Sequence, residues 1–287
     1  MTEVQPAPDD QRNEVRPRPR GPREGLLYGL PNHAGVLFEL EAGNLSAHLF
    51  ASPARPHRNE DALLVASVGA GAVVAVADGV GGLPDGDLAA KTALEALEDA
   101  VRRPGAGDDP HAMRAAILAG FDSADAQVDA MSGATTLTVV ELWPGGFRTY
   151  NAGDTAALVI DSAGAELYRT VSHSPVGYAL EAGLIDEAQA LRHGARHVIS
   201  NCLGQGCLRI EIGPLLKIGP GRRIVLASDG LFDNLARFEV AGHLAGRSLA
   251  QAADGLAEEA HARMRNPGSA NPSKPDDLGL IVFEPTE

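Results

Sequence analysis

The chain is poor in cysteine, with two in 287 residues. That is too few for a disulfide framework, so a reducing, cytosolic setting is the default expectation. It is also short of positive charge: 24 Lys and Arg stand against 38 Asp and Glu, a formal net charge of −14. Nothing in such a balance neutralises a run of phosphates, which argues against general nucleic-acid binding and leaves hard cations as natural partners. No uninterrupted apolar run approaches the roughly 20 residues that a membrane helix needs. The N-terminus lacks the apolar stretch of a secretory signal. What remains, 44% hydrophobic and 22% charged residues, is ordinary for a globular protein.

Residues 1–24 hold five basic residues, five acidic ones and five prolines. Such a segment cannot bury enough surface to offset its ordering entropy and reads as a disordered tail. A docking peptide around Arg16 to Arg20 is the alternative. The tail sums to zero charge, so the whole −14 falls on residues 25–287, read as one domain. There, short segments rich in Val, Ile, Leu and Thr predict strands at 36–40, 62–68, 73–77, 135–142, 147–151, 156–160, 166–170, 224–227 and 278–283. Pro144-Gly145-Gly146 and Ser162-Ala163-Gly164 are turn signals that make consecutive strands antiparallel. Helical periodicity over Asp87–Arg103 carries Leu94, Leu97 and Val101 on one face, with Asp87 as a candidate cap. A second helix starts at Asp109-Pro110 and presents Met113, Ile117, Phe121 and Val128. A third spans Leu249–Met264. Strands grouped apart from paired helices give an α+β fold of packed layers.

Acidic residues recur where these strands stop. Val73–Ala77 delivers Asp78 and Gly79; Ile224–Ala227 is followed by Ser228, Asp229 and Gly230. Glu60 and Asp61 precede one strand, and Asp276 and Asp277 the last. Carboxylates that converge on a sheet rim repel one another unless protonated or bridged by cations. An all-oxygen set selects Mg²⁺ or Mn²⁺ over zinc, and a glycine after Asp lets its carbonyl approach closely. One Asp-Gly pair is usually a turn; two at equivalent strand ends, with two more carboxylate pairs beside strands, favour a metal centre. The stretch Gly79-Val80-Gly81-Gly82-Leu83-Pro84 begins like a dinucleotide fingerprint. It fails at Pro84, and Asp78 would set negative charge against a pyrophosphate.

These residues resemble the metal-dependent serine/threonine phosphatases of the protein phosphatase 2C (PPM) type, in their bacterial form. The resemblance runs from about Ala51 to Glu284. Its pieces occur in family order: Arg58-Asn59-Glu60-Asp61-Ala62, Ala77-Asp78-Gly79-Val80-Gly81-Gly82, Gly133-Ala134-Thr135-Thr136, Asn151-Ala152-Gly153-Asp154, Ala227-Ser228-Asp229-Gly230-Leu231-Phe232-Asp233 and Pro275-Asp276-Asp277. It implies two packed antiparallel β-sheets flanked by helices, a four-layer αββα sandwich. It also implies hydrolysis of phosphoserine and phosphothreonine by a water between two Mn²⁺ or Mg²⁺ ions, with no phosphoenzyme and hence no Ser or Cys nucleophile. Asp78 would bridge the ions with help from the Gly79 carbonyl, and Asp229 and Asp276 would bind one of them. Glu60 and Asp61 would hold waters or a metal edge, Asp61 beside the chemistry, and Asp154 a third, weaker ion. Partners would be phosphorylated proteins and a serine/threonine kinase, for a cytoplasmic monomer. A phosphoprotein-binding pseudophosphatase and a hydrolase of small phosphoesters are the rival readings.

The family pattern is departed from at four places. Pro56 stands where an arginine usually clamps phosphate, Val80 where some eukaryotic members carry histidine, Ala156 where the Gly-Asp-Ser-Arg signature has arginine, and Gly279 where Thr or Ser is usual. None removes a metal ligand. If the chain is extended from 56 to 60, positions 56, 58 and 60 share a face, which makes Arg58 the expected phosphate contact and turns Arg55 away. Weaker candidates are His173, expected as a capping or surface residue before a mobile flap at 176–206, and Cys202 and Cys207, expected as inert thiols. Trp143 reads as strand-end packing. His193 and His197, at helical spacing, read as surface residues.

Overall fold

The computed structural model describes residues 24–286 apart from 30, 31, 108, 268 and 269. The tail expected over 1–24 thus lies outside the described residues except for Glu24, which accepts a hydrogen bond from Arg102 at 3.0 Å. The chain opens with β1 (Gly25–Tyr28), β2 (Asn32–Glu39), β3 (Gly43–Phe50), β4 (Asp61–Val68) and β5 (Gly71–Asp78). Then come α1 (Gly86–Val101) and α2 (Pro110–Asp129), followed by β6 (Leu137–Trp143), β7 (Gly146–Ala152), β8 (Ala156–Asp161) and β9 (Glu166–Arg169). Two short helices, α3 (Pro175–Glu181) and α4 (Glu187–Ala190), precede β10 (Glu211–Ile212), β11 (Leu216–Lys217) and β12 (Arg222–Ala227). The chain closes with α5 (Asp229–Phe232), α6 (Arg237–Leu244), α7 (Leu249–Met264) and β13 (Leu278–Pro285).

One sheet has the order β1-β4-β5-β6-β7-β10, with β11 also on β7; the other has the order β2-β3-β13-β12-β8-β9. Every pairing is antiparallel. Period-two alternation explains the layering. Val73, Ala75 and Ala77 of β5 face α1 and α2, while Val74 and Val76 meet Leu226 and Ile281 of the opposite sheet. On the far side, Val225, Ala227 and Leu280 pack on α6 and α7. Both faces of both sheets are thus covered, as the four-layer αββα reading requires. Pro144-Gly145 forms a two-residue hairpin loop between paired Trp143 and Gly146, and Gly145 takes φ +79°. Asp109 caps α2 by accepting from the amides of His111 and Ala112, with Pro110 at the first helical position.

Two local expectations are corrected. Helix α1 opens at Gly86 behind Asp85, not at a cap formed by Asp87; the Asp87 carboxylate is engaged by Arg58 instead. His193 and His197 are exposed, as expected, but lie in turns, so their four-residue spacing is not helical.

Candidate metal centre

The ends of β4 and β5 put Asp61 directly opposite Asp78 in the ladder, with Glu60 just outside. The Asp78 backbone is fixed by the Gly133–Thr136 segment: its carbonyl accepts from Thr136 N at 2.8 Å and from Thr135 Oγ1 at 2.9 Å, and its amide donates to Thr136 Oγ1. Gly79 is held by close packing, since a Cβ there would lie 2.2 Å from the Gly86 carbonyl oxygen at the start of α1. A Cβ on Gly230 would lie 1.9 Å from the Asp277 carbonyl oxygen. Each Asp-Gly pair therefore seats an acidic residue where two backbones touch.

Asp229 does not end a strand but opens α5, a single turn that brings Asp233, four residues on, to the same side. Asp276 approaches from the loop before β13. Ser228 Oγ donates to Asp61 Oδ2 at 2.7 Å and so ties the two groups together. Asp277 is buried and accepts from Ser52 N at 2.6 Å and Glu60 N at 2.8 Å, which fixes the loop carrying Glu60. Asp154 follows Gly153, whose φ of +128° favours glycine and where a Cβ would meet Thr136 at 2.4 Å.

His173 holds that turn from beneath. It is buried rather than at the surface, a correction to the sequence expectation. Its Nδ1 accepts from Gly153 N at 3.2 Å and, 2.8 Å away, faces the Asn201 amide. The proton therefore sits on Nε2, 3.3 Å from Glu211. Asn151 adds a bond from Nδ2 to the Gly153 carbonyl at 3.3 Å.

Among the described residues no three His, Cys, Asp or Glu side chains close on one point as a finished cage. The case that this donor set fits divalent cations rests on four buried carboxylate oxygens without a hydrogen bond: Glu60 Oε1, Asp61 Oδ1, Asp154 Oδ1 and Asp233 Oδ2. Leaving such atoms unpaired is costly, and a hard cation takes oxygen ligands of this kind. Burial, reinforced by neighbouring carboxylates, holds Asp61, Asp78 and Asp154 well above the ordinary carboxylate range. The same causes push Asp233 up to about 6 and Asp276 up to about 7. These residues are short of positive charge, and the set fits Mn²⁺ or Mg²⁺.

Four cationic side chains reach the cluster's edge, Arg196 among them at 3.8 Å from Asp233 Oδ2. The Lys274 ammonium bonds Asp229 and lies 2.9 Å from Asp233 Oδ2 and 3.1 Å from Asp276 Oδ2, the Asp233 contact being off hydrogen-bond angle. Arg55 bonds Glu60 and stands 3.8 Å from Asp277. Arg58 donates to the Pro84 carbonyl and to Asp87, both at 2.7 Å. The extended run expected over 56–60 does not form. Arg55 N bonds the Ser52 carbonyl and Arg58 N the Arg55 carbonyl, two successive turns that abolish the face-sharing on which Arg58 was chosen. Arg55, expected to point away, hydrogen-bonds Glu60, whereas Arg58 only approaches Glu60 Oε1 at 3.4 Å.

The remaining candidates stand outside this chemistry. Burial, with Asp154 adding to it, raises the Cys202 thiol to about 11. Trp143 donates from Nε1 to Glu141 at 2.6 Å and packs partly buried against the helix-side core. The segment 176–206 contains most of α3 and all of α4. It borders a cavity of about 140 Å³ that opens toward Asp154 and Asp229 and is walled by Val176, Leu180, Leu191 and Phe232.

A family model for protein phosphatase 2C matches residues 54–265. No curated protein matches the sequence. Among solved structures, the PPM Ser-Thr phosphatase MsPP from Mycobacterium smegmatis, in complex with cacodylate, is similar with a TM-score of 0.68 at 25% identity. That match covers 84% of this chain and 98% of the other. The serine/threonine phosphatase Stp1 from Staphylococcus aureus gives 0.72 at 20% identity over 87% and 98%. The catalytic domain of the serine threonine protein phosphatase PstP, in complex with two manganese ions, gives 0.66 at 22% identity over 85% and 98%. The last two are likenesses of fold.

Proposed function

This chain belongs to the protein phosphatase 2C family, and from that premise and the geometry above we propose that it removes phosphate from phosphoserine and phosphothreonine in proteins, using two Mn²⁺ or Mg²⁺ ions. The observation that carries the reading is the set of four buried carboxylate oxygens without a hydrogen bond, gathered from three separate segments at one rim of the two sheets. Glu60, Asp61, Asp78 and the Gly79 carbonyl would hold one ion. Asp229 and Asp276 would hold the second with Asp78, and Asp154 with Asp233 a third and weaker one. When bound, the ions supply charge neutralisation and an acidified water.

The chain's own contribution is placement. Thr135 and Thr136 fix Asp78, Ser228 orients Asp61, and Asp277 holds the Glu60 loop. The Arg55 guanidinium, partly exposed at the edge of the cluster, offers a planar fork to the incoming phosphate. The whole set lies within residues 25–287, taken as one catalytic domain behind the tail. The two unpaired thiols fit a reducing, cytoplasmic setting, where the chain would act as a monomer against a serine/threonine kinase. Among the described residues no helix is long and apolar enough to cross a membrane.

The test is turnover of a phosphothreonine peptide beside p-nitrophenyl phosphate, with Mn²⁺ and with excess EDTA. Activity should vanish in EDTA and return with Mn²⁺; full activity in EDTA refutes the metal reading. Phosphopeptide binding without turnover would favour the pseudophosphatase, and turnover of p-nitrophenyl phosphate alone the small-ester hydrolase. At 100 times its Kd an ion adds about 2.7 kcal/mol, which at roughly 2–4 °C per kcal/mol raises the melting temperature by about 5–11 °C.

Asp154 can be tested separately. Its carboxylate has an unpartnered buried oxygen and sits in a glycine turn apart from Asp78. Asp154→Ala should keep the fold, slow turnover and raise the Mn²⁺ concentration needed for half-maximal rate. An unchanged Mn²⁺ titration would remove Asp154 from the metal centre.

A further inference from the structure

Lys274 lies at the acidic cluster by construction of the backbone around it. Its amide donates to Asn234 Oδ1 at 2.8 Å and its carbonyl accepts from Asn234 Nδ2 at 3.0 Å, so one buried side chain grips both sides of the residue. Arg263 in turn bonds the Asn234 carbonyl at 2.8 Å. On the other flank, Arg196 donates to the Ser273 carbonyl at 2.9 Å. From this fixed base the Lys274 side chain, 17% exposed, brings its ammonium to Asp229, Asp233 and Asp276. Asp229 and Asp276 are the pair assigned above to the second ion.

An ammonium and a divalent ion cannot both occupy the same carboxylate oxygens. Three carboxylates around one ammonium leave a formal charge of −2, and still −1 with the Arg196 guanidinium 3.8 Å from Asp233 Oδ2, so a divalent ion is the better counter-charge wherever it can displace the lysine. The four-carbon stem is flexible enough to withdraw. Glu60, Asp61 and Asp78, on the other side of the site, have no contact with Lys274. The two cation positions are therefore unequal in the chain itself.

We propose that Lys274 is a tethered competitor of one metal ion. In the metal-free protein its ammonium holds Asp229, Asp233 and Asp276 together; binding of the second ion expels it. That ion is then the later and weaker of the two, and the enzyme's activity follows free-metal concentration through this step. The inference rests on the two-ion reading of the site, so the experiment must separate their failures.

The sequence contains only three lysines, Lys91, Lys217 and Lys274, which permits a footprint on the unmodified protein. An amine-acylating reagent followed by peptide mass spectrometry should label Lys274 slowly in EDTA. In saturating Mn²⁺ its labelling should rise at least about fivefold, while Lys91 and Lys217 stay constant. In parallel, calorimetry with Mn²⁺ should show the weaker binding step tightening about tenfold in Lys274→Ala, the size expected for losing a charge-assisted bond that the ion must break. The same variant should melt at a lower temperature than wild type in EDTA. Lys274 labelling that stays constant while calorimetry shows Mn²⁺ bound overturns the displacement, as does weaker Mn²⁺ binding in Lys274→Ala. Absence of Mn²⁺ binding to wild type overturns the two-ion reading itself, and this inference with it. Should Lys274→Ala fail to fold, the footprint on wild type still decides.

Discussion

Asp78→Asn is expected to abolish turnover and, in EDTA, to raise the melting temperature. The two effects have one cause. Asp78 sits opposite Asp61 at the ends of β4 and β5, and burial with repulsion from Asp61, Asp229 and Asp276 holds it well above the usual carboxylate range. In the metal-free protein its charge is a liability, whereas with the proposed ions bound it would be a shared counter-charge. Charge stabilisation at a metal centre is worth several kcal/mol, so at about 1.4 kcal/mol per tenfold the loss should reach roughly a thousandfold in kcat. The neutral amide keeps the shape of the side chain, and relief of repulsion on the order of 1 kcal/mol should add about 2–4 °C to the melting temperature in EDTA. A carboxylate whose folded-state value is raised contributes stability at low pH that is lost as pH rises through that value. With Asp276 raised to about 7 from an ordinary 3.8, wild type in EDTA should lose stability from about pH 4 to beyond 7. Asp78→Asn should flatten this slope, and Mn²⁺ should reverse it in wild type only. A variant with wild-type turnover would end the bridging assignment. A variant that melts lower than wild type in EDTA would end the repulsion account.

The physical source of each element decides how much of it the sequence discloses. β4, β5, β12 and β13 are buried on both faces, so they stand out as dense apolar runs, and the acidic residues beside their ends are legible from the sequence alone. β3 could not. Its inner face carries Leu45, Ala47 and Leu49, but its outer face buries Ser46 and His48, joined at 3.0 Å under α7, so the run reads as polar. Asp233 was legible in principle, because its four-residue spacing from Asp229 is the signature of one helical turn. It went unread because α5 follows directly on a strand and is only four residues long. Asp277 looks in sequence like a second metal ligand beside Asp276, yet its oxygens are spent on two backbone amides. Lys274 and Arg55 gave no sequence signal. Each depends on a loop whose shape is set by hydrogen bonds from distant segments, Asn234 for one and Asp277 for the other.

Arg55 supports the second large effect. The family resemblance places a phosphate-clamping arginine at the position that Pro56 occupies, and an extended backbone over 56–60 would give that role to Arg58. The two turns at 52–58 reverse the choice. Arg58 spends its Nη2 on the Pro84 carbonyl and Asp87, and stands 3.4 Å from Glu60 Oε1 without a hydrogen bond to it. Arg55 meets Glu60 at the cluster and is 43% exposed, so part of its fork remains open to a substrate phosphate. Charge-assisted hydrogen bonds contribute about 1.5–3 kcal/mol. Arg55→Ala should therefore lower kcat/KM by roughly 10- to 150-fold, carried mainly by KM if the contact is equal in ground and transition states. Arg55→Lys keeps the charge but not the fork and should fall between. Arg58→Ala should stay within about twofold of wild type, since it loses two partly exposed ion pairs, to Asp87 and Glu60, each worth at most about 1 kcal/mol to the fold, and nothing to the phosphate. Arg55→Ala also strips a partner from the buried Glu60 carboxylate, so its melting temperature in EDTA should drop while Mn²⁺ restores it. A defect in Arg58→Ala alone would return the clamp to Arg58 despite its geometry. Equal kinetics in all three variants would mean that neither arginine touches phosphate, and that the cations alone hold it.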